Sequence, residues 1–543
     1  MEKRFFLAIV LSVIVVVTYQ FFFAPKPPER KMPRETASSE VAPVSPAPAA
    51  PSRASIFPPA TTPRGAGTEK DVTVDTPLYK AVFTTKGGAL RSFKLKNFKV
   101  DLEPDSEPIE LVHVFDSPQL PLALSFMDST VPLSPDDLYH TDMLSLTLTE
   151  TDQPRELVFS QSYGTLRVEK IFIFDPTNYT IQMDVKVKNL SVDTIQQTPT
   201  LAWFQYDDPA AAKSSSLFSF LQPFAATNKG APVHFAAQSM TRSNPEDIKQ
   251  IEHYGPNISW AGYENKYFLA AMIPQKPVLT SLTIGKDDAR LVSVQMKGPK
   301  NLIPANDTGT FSYTLYLGPK DYTIMKSLDV DLENAIDFGS WVKWLSIPLL
   351  HVLKFIYQYV HNYGIAIIIL TILIKIIFWP LGNKSYKSMK AMQKLQPKMM
   401  AIREKYKDDK QRLSQEMMNF YKSNKFNPLG GCLPMLVQLP VFVGLYYLLF
   451  YAIELRHSPF FFWIQDLSAR DPYYITPLLM GASFFLQQKM MPVGDPTQAK
   501  IMLFLPVVFT MMFLSFPSGL VIYWLLNNLI SIGQQLYINK YSS

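Results

Sequence analysis

Hydrophobic and polar positions change rhythm three times along this chain. Residues 5–23 form a predominantly apolar run of nineteen, preceded by Lys3 and Arg4 and followed by Ala24-Pro25-Lys26. A run this long, with no small-residue cleavage site at its end, reads as an uncleaved membrane anchor over residues 1–23. Residues 24–70 are rich in Pro, Ala and Ser and lack the apolar side chains needed to offset ordering entropy, so they read as a flexible linker. From 71 to 335 short stretches alternate apolar and polar residues about turns. Residues 166–174 and 179–187 flank Asp175-Pro-Thr-Asn178, and residues 82–90 bend at Gly87-Gly88. These are hairpin signatures, and they predict a soluble, mainly β domain built as a sandwich.

Past Asp337 the period becomes three to four. Trp341, Trp344, Leu345, Leu349, Val352, Ile356 and Tyr359 space one face, with Lys343, Ser346, Lys354 and Gln358 between them. An amphipathic helix over 336–361 follows, either lying in the bilayer interface or packed on the β domain. Apolar spans come next at 363–381, 433–453, 473–488, 501–516 and 519–538. Crossing the hydrocarbon takes about 20 helical residues, so the spans at 473–488 and 501–516 are short. With the anchor, the expectation is a polytopic α-helical membrane protein of six spans, with a core at 362–543.

Charge sets the orientation. Residues 382–428 carry twelve Lys/Arg against four Asp/Glu, a balance of +8 in a chain whose net charge is +6. Basic loops stay cytoplasmic, so both termini face the cytoplasm and residues 24–361 lie outside it. The single cysteine, Cys432, excludes an intramolecular disulfide and Cys-based metal sites, and the seven scattered histidines form no His-x-x-x-His pair. Neither a G-x-x-x-x-G-K-[ST] loop nor a G-x-G-x-x-G appears. No cofactor, no metal and no enzymatic chemistry is expected.

The candidate functional residues lie in the spans. Lys375 stands inside the first one after the β domain, where a lysine costs about 3 kcal/mol and is by default functional. It lies within snorkelling reach of the interface, about 9 Å along the axis, or else faces a wet cavity. Thr371, one turn earlier, shares its face. Gln438, Asn527 and Asn528, with Tyr523 and Trp524 a turn before, are positioned either to line the same cavity or to hydrogen-bond between helices. Thirteen of 22 methionines follow residue 380, among them Met435, Met480, Met490, Met491, Met502, Met511 and Met512; they suit either varied apolar ligands or ordinary gap-filling.

The basic stretch 384–425 reads as a helical hairpin. Met389, Met392, Leu395, Met399, Ile402 and Tyr406 space one stripe, and Leu413, Met417, Phe420 and Tyr421 the other. Asp408-Asp409 fit its turn and second N-cap, and Pro397 predicts a kink in its first helix. Its cations Lys384, Lys387, Lys390, Lys394, Lys398, Arg403, Lys405 and Lys407 would attract ribosomal RNA or anionic lipid, or serve topology alone; nothing suggests DNA.

Several ordered motifs resemble the YidC/Oxa/Alb membrane protein insertases, in the Gram-negative form with a large periplasmic domain. They are Leu395-Gln-Pro-Lys398, Lys410-Gln-Arg-Leu-Ser-Gln-Glu-Met-Met418, Asn427-Pro-Leu-Gly-Gly-Cys-Leu-Pro434, Asp471-Pro-Tyr-Tyr474, Gln487-Gln-Lys-Met490 and Phe516-Pro-Ser-Gly-Leu520. The resemblance implies a periplasmic β-super-sandwich and a five-helix insertase core enclosing a hydrophilic groove in a bacterial inner membrane. It implies ATP-independent insertion of nascent membrane proteins, alone or beside the Sec translocon. It places Lys375, Thr371, Gln438, Tyr523, Trp524 and Asn527 in or near the groove. The family's groove cation is usually Arg, so Lys375 is a departure: Arg stays ionised almost anywhere, whereas a desolvated Lys can lose its proton. Some relatives carry a long basic tail that binds the ribosome; here only five residues follow Ile538, and that contact is expected at the hairpin. The alternatives are a secondary transporter with Lys375 as coupling residue, and a carbohydrate-active enzyme on a membrane stalk; no inverted repeat supports the first.

Overall fold

The structure is a computed structural model that describes residues 67–541 apart from 115–116, 127, 208–223, 230–238, 244–247, 249–250, 289, 340, 408, 425–432 and 491–495. The expected anchor and nearly all of the linker lie outside the described residues. From Asp71 to Pro319 the alternating pattern folds into sheets. The largest has eight strands in the order Ser239–Ser243, Phe224–Lys229, Ile258–Glu264, Phe268–Pro274, Thr308–Pro319, Thr180–Asn189, Leu166–Phe174 and Arg155–Ser162. A five-stranded sheet runs Glu252–Tyr254, Ser281–Lys286, Leu291–Lys297, Thr200–Tyr206 and Ala123–Ser125. A second runs Pro108–Glu110, Ala89–Lys99, Tyr79–Thr84, Asp71–Asp75 and Ser145–Thr147.

Both expected hairpins form. Phe174 pairs with Ile181 across a turn in which the Asp175 carboxylate accepts from Thr177 N at 2.9 Å and from Asn178 Nδ2 at 2.7 Å. That local bonding is why an Asp-Pro-Thr-Asn run turns the chain. Thr84 pairs with Ala89 across Gly87 and Gly88, whose φ angles are +67° and +52°. A Cβ at Gly87 would come within 2.2 Å of the Pro135 carbonyl oxygen, so the turn needs glycine on both counts.

Strand Leu166–Phe174 turns Leu166, Val168, Lys170, Phe172 and Phe174 inward, all fully buried. Alternate side chains share a face, so the lysine is carried into the core by its place in the row. Its Nζ donates to Gly87 O at 2.9 Å, Gly88 O at 2.7 Å and Leu122 O at 2.9 Å. Three carbonyls thus match the three donors of an ammonium and pin one sheet to the Gly-Gly turn of another.

Among the described residues eight α-helices follow. Asp321 caps α1 (Tyr322–Lys326) by accepting from Thr323 N and Ile324 N. A 3-10 turn at Leu332–Ala335 leads into α2 (Lys343–Val360). The polar face expected for α2 is not a polar face. Ser346 is buried and its hydroxyl donates to Phe338 O at 3.0 Å, beside Leu350, Leu353 and Ile356, while Trp344, Phe355 and Tyr359 are exposed. The helix has protein on one side and an exposed apolar surface on the other, so both flanks are apolar and one period cannot describe them. Lys354 does not reach solvent alone either: its Nζ lies 3.1 Å from Asp321 Oδ2 and 3.0 Å from Glu454 Oε1. With Arg456 donating to Lys99 O at 2.5 Å, this ion triad joins the β domain to the helices.

Asn362 caps α3 (Tyr363–Lys405), its Oδ1 accepting from Ile365 N at 3.0 Å. α3 is one helix of 43 residues through Pro380 and Pro397, so the expected span and the first arm of the hairpin are continuous. Pro380, Gly382 and Asn383 stand between them without ending the helix, and strong helix formers flank Pro397, which removes one backbone bond without ending it either. Asp409 caps α4 (Lys410–Ser423) through Arg412 N, as the turn sequence predicts. The others are α5 (Leu433–Tyr451), α6 (Ile475–Lys489), α7 (Pro496–Phe513) and α8 (Ser518–Tyr541). Among the described residues one segment, Tyr363–Ser388, is long and apolar enough to cross a membrane. The apolar stretches Gln438–Tyr451 and Leu503–Phe513 are shorter.

Burial, with no carboxylate beside it, pushes the Lys170 pKa from 10.5 down to about 7. Between those values the unfolded chain holds a proton that the folded domain has released, so stability rises with pH. Below about pH 7 both states are protonated and the cost of burying the charge is fully present. The thermal midpoint of the β domain, followed by tryptophan fluorescence of the whole chain in detergent, is expected to climb from pH 7 to 9.5. In Lys170→Met this component of the slope disappears and the midpoint falls, because three carbonyls lose their donors.

Candidate functional site

Helix α8 packs against α3 on one side and α6 on the other, and also meets α5. It carries a polar row inside an apolar span: Asn527, Asn528, Ser531, Gln534 and Gln535, spaced by three, four and seven residues. Those positions cover adjoining faces of one helix, so the row serves several neighbours. Toward α3, Gln534 Nε2 donates to Asn383 Oδ1 at 2.8 Å and to Trp379 O at 3.2 Å. Toward α6, Asn528 Nδ2 donates to Ser483 Oγ at 3.1 Å, and Gln535 Nε2 to Met490 O at 2.9 Å. Toward α5, Asn527 Oδ1 accepts from Gln438 Nε2 at 3.0 Å. In a medium without water such groups must find protein partners, which is what fixes these helices in register.

Lys375 sits at the centre of this seam, with 9% of its surface exposed. Its Nζ donates to Ser531 Oγ at 2.7 Å, Ser531 donates in turn to Asn527 O at 2.7 Å, and Tyr386 hydrogen-bonds the same serine. Among the described residues Ser531 is the partner of Lys375, and no carboxylate faces it. The structure therefore brings Lys375, Asn527 and Gln438 into one chain of hydrogen bonds. It does not bring in the hydroxyl of Thr371, which is buried and donates to Ile367 O of its own helix at 2.7 Å. Nor do Tyr523 and Trp524 join the chain. Tyr523 is buried and stacks with Phe442, while Trp524 meets Phe442 and Phe513 edge-on at 4.4 and 4.7 Å.

Ser531, Tyr386 and Gln534 are absent from the residues the sequence singles out. The row of polar residues on α8, read at helical spacing from Asn527 onward, is the signal that finds Ser531 and Gln534. The methionines form no single surface: Met480 is buried, Met490 and Met512 are half-buried and Met511 is exposed. Met435, Met491 and Met502 lie outside the residues whose side chains are described. On the hairpin Lys384, Lys387, Lys394, Lys398, Lys405 and Lys407 are exposed, Lys390 and Arg403 are half-buried, and Lys390 donates to Asn539 O at 3.2 Å. No cluster of His, Cys, Asp and Glu among the described residues is placed to hold a metal.

A helical core that includes one segment long and apolar enough to span a membrane and a lysine-bearing polar seam, joined to a large sheet domain, is the build of a membrane protein with a folded domain outside the bilayer. Residues 71–352 match the family described as YidC periplasmic domain, and residues 355–543 match the 60Kd inner membrane protein family. The chain belongs to the YidC family of membrane protein insertases, inner-membrane proteins with a periplasmic domain. Membrane protein insertase YidC of Syntrophus aciditrophicus is 56% identical over 99% of this chain and 100% of the relative. The protein of the same name from Geobacter metallireducens is 41% identical over 99% of this chain and 98% of its own length. A solved structure described as an active YidC insertase with its first transmembrane domain resolved aligns over 88% of this chain and 94% of its own, at 20% identity and a TM-score of 0.37. The transporter and carbohydrate-enzyme alternatives are not favoured by this relationship.

Replacing Asn527 with Leu is expected to destabilise the helical core by about 1 kcal/mol through the lost bond to Gln438. Adding Gln438→Leu should then cost less than it does alone, a coupling of roughly 0.6 kcal/mol between the two sites. Chemical unfolding of the four proteins of this double-mutant cycle in detergent measures it.

Proposed function

We propose that this chain, as a membrane protein insertase, receives the short polar tail of a nascent membrane protein in the seam around Lys375 and releases the following apolar segment into lipid. The observation that supports this reading is a lysine ammonium without a carboxylate partner among the described residues, on the segment Tyr363–Ser388 that is apolar and long enough to span. Lys375 lies about 18 Å from the start of α3, well inside the hydrocarbon thickness. An acidic tail meeting that charge is attracted more strongly than in water because the local dielectric is lower. Release follows as the apolar segment partitions into lipid, which is downhill without nucleotide hydrolysis. Helix α6, of 15 residues, is shorter than the hydrocarbon is thick and would thin the bilayer beside the seam.

The same reading assigns residues 1–23 to an anchor, 24–70 to a linker, 71–335 to the periplasmic domain and 336–361 to an interfacial helix. Six spans would then leave both termini in the cytoplasm. The exposed Trp344, Phe355 and Tyr359 of α2 suit a lipid interface. The exposed lysines of the hairpin suit a ribosome or anionic lipid at the cytoplasmic surface, and the lateral surface of the core would serve beside a Sec translocon.

Protease protection of a small single-span protein with an acidic N-terminal tail, added to sealed proteoliposomes without nucleotide, tests the reading. Wild-type chain is expected to protect the tail. Lys375→Ala should reduce protection several-fold and Lys375→Glu more, since it adds repulsion. Equal protection by all three would remove the charge from the mechanism.

A further inference from the structure

Among the buried lysines of the described residues, Lys320 is paired with Glu264, whereas Lys170 and Lys375 have no carboxylate and are held in different ways. Lys170 gives all three donors to backbone carbonyls and is locked. Lys375 gives one donor to a hydroxyl, and among the described residues nothing takes the other two. The hydroxyl is itself oriented: Ser531 donates its proton to Asn527 O, one turn back on α8, so the lone pairs of its oxygen are left for the ammonium. Asn527 holds that turn to α5 through Gln438, and Tyr386 of α3 meets the same hydroxyl. The serine is thus placed from three helices.

We infer that Ser531 is a positioning residue for the groove charge: it holds the Lys375 ammonium at the seam without neutralising it, until a carboxylate on the incoming tail takes its place. This deepens the proposed function and rests on Lys375 as the groove cation. A lysine stem is long and flexible, and without a holder the ammonium extends toward the nearer interface, about 9 Å away along the axis. A carboxylate in the position of Ser531 would hold it too, but would cancel the charge the substrate needs. A hydroxyl gives a neutral acceptor, and a substrate carboxylate displaces it because a bond charged on both sides is roughly twice as strong.

The test uses full-length chain in proteoliposomes and two substrates: a single-span protein with an acidic tail, and the same protein with those acids changed to amides. The readout is the ratio of acidic-tail to neutral-tail insertion, which general damage to the fold does not move. Ser531→Ala is expected to lower this ratio at least about threefold, as loss of a hydrogen bond to a charged group does. Ser531→Thr, which keeps the hydroxyl, restores it. Ser531→Asp lowers it to the level of Lys375→Ala, and Ser531→Ala adds nothing in the Lys375→Ala background. A ratio unchanged in Ser531→Ala while Lys375→Ala lowers it overturns the positioning role and leaves the groove charge standing. A ratio unchanged in Lys375→Ala overturns the groove charge itself.

Discussion

An ammonium buried among apolar helices must be met by protein oxygen or by water, and this requirement organises the helical core. Meeting Lys375 takes Ser531 of α8; orienting Ser531 takes Asn527; and Asn527 brings in Gln438 of α5. The bonds from Gln534 to α3, and from Asn528 and Gln535 to α6, follow the same rule along the same helix. Helix α8 is therefore the element against which its neighbours are set. Its apolar residues supply packing that lipid could supply equally well, whereas its polar row has only protein to bond.

Charged side chains also meet partners at the joint with the β domain. Lys354 is half-buried between Asp321 at the cap of α1 and Glu454 beyond α5, two acids against one base. Removing the lysine would leave two carboxylates facing each other, so the triad adds a charged tie to three segments that also share an apolar core. Lys266 adds a cationic head 3.8 Å from the ring centroid of Phe450, and Arg456 reaches the carbonyls at the end of the strand Ala89–Lys99.

Much of this was legible from residue order. The hairpin at Asp175, the Gly87-Gly88 bend and the cap at Asp409 are all governed by contacts within a few residues or by simple period. The row on α8 was half legible: Asn527 and Asn528 stand out as polar residues in a span, while Ser531 does not, since a serine is common in membrane helices. Thr371 shares a helix face with Lys375, yet its hydroxyl closes on its own backbone, a choice that spacing does not reveal. Ser346 and Lys354 misled for another reason. On a helix with apolar surfaces on two sides, these two polar residues mark contact points with other segments.

The sequence by itself determined that a strand-rich region precedes a helical one, that the stretch after residue 362 is apolar enough for a membrane, and that the basic excess lies in residues 382–428. These follow from side-chain period, local hydrogen bonding and charge, which act over one or two turns. Only the tertiary structure decided which polar groups meet. Lys375 and Ser531 are 156 residues apart, and Gln438 and Asn527 are 89 apart. Bonds over such separations depend on how rigid helices pack, a property of the whole core that no short stretch of sequence carries.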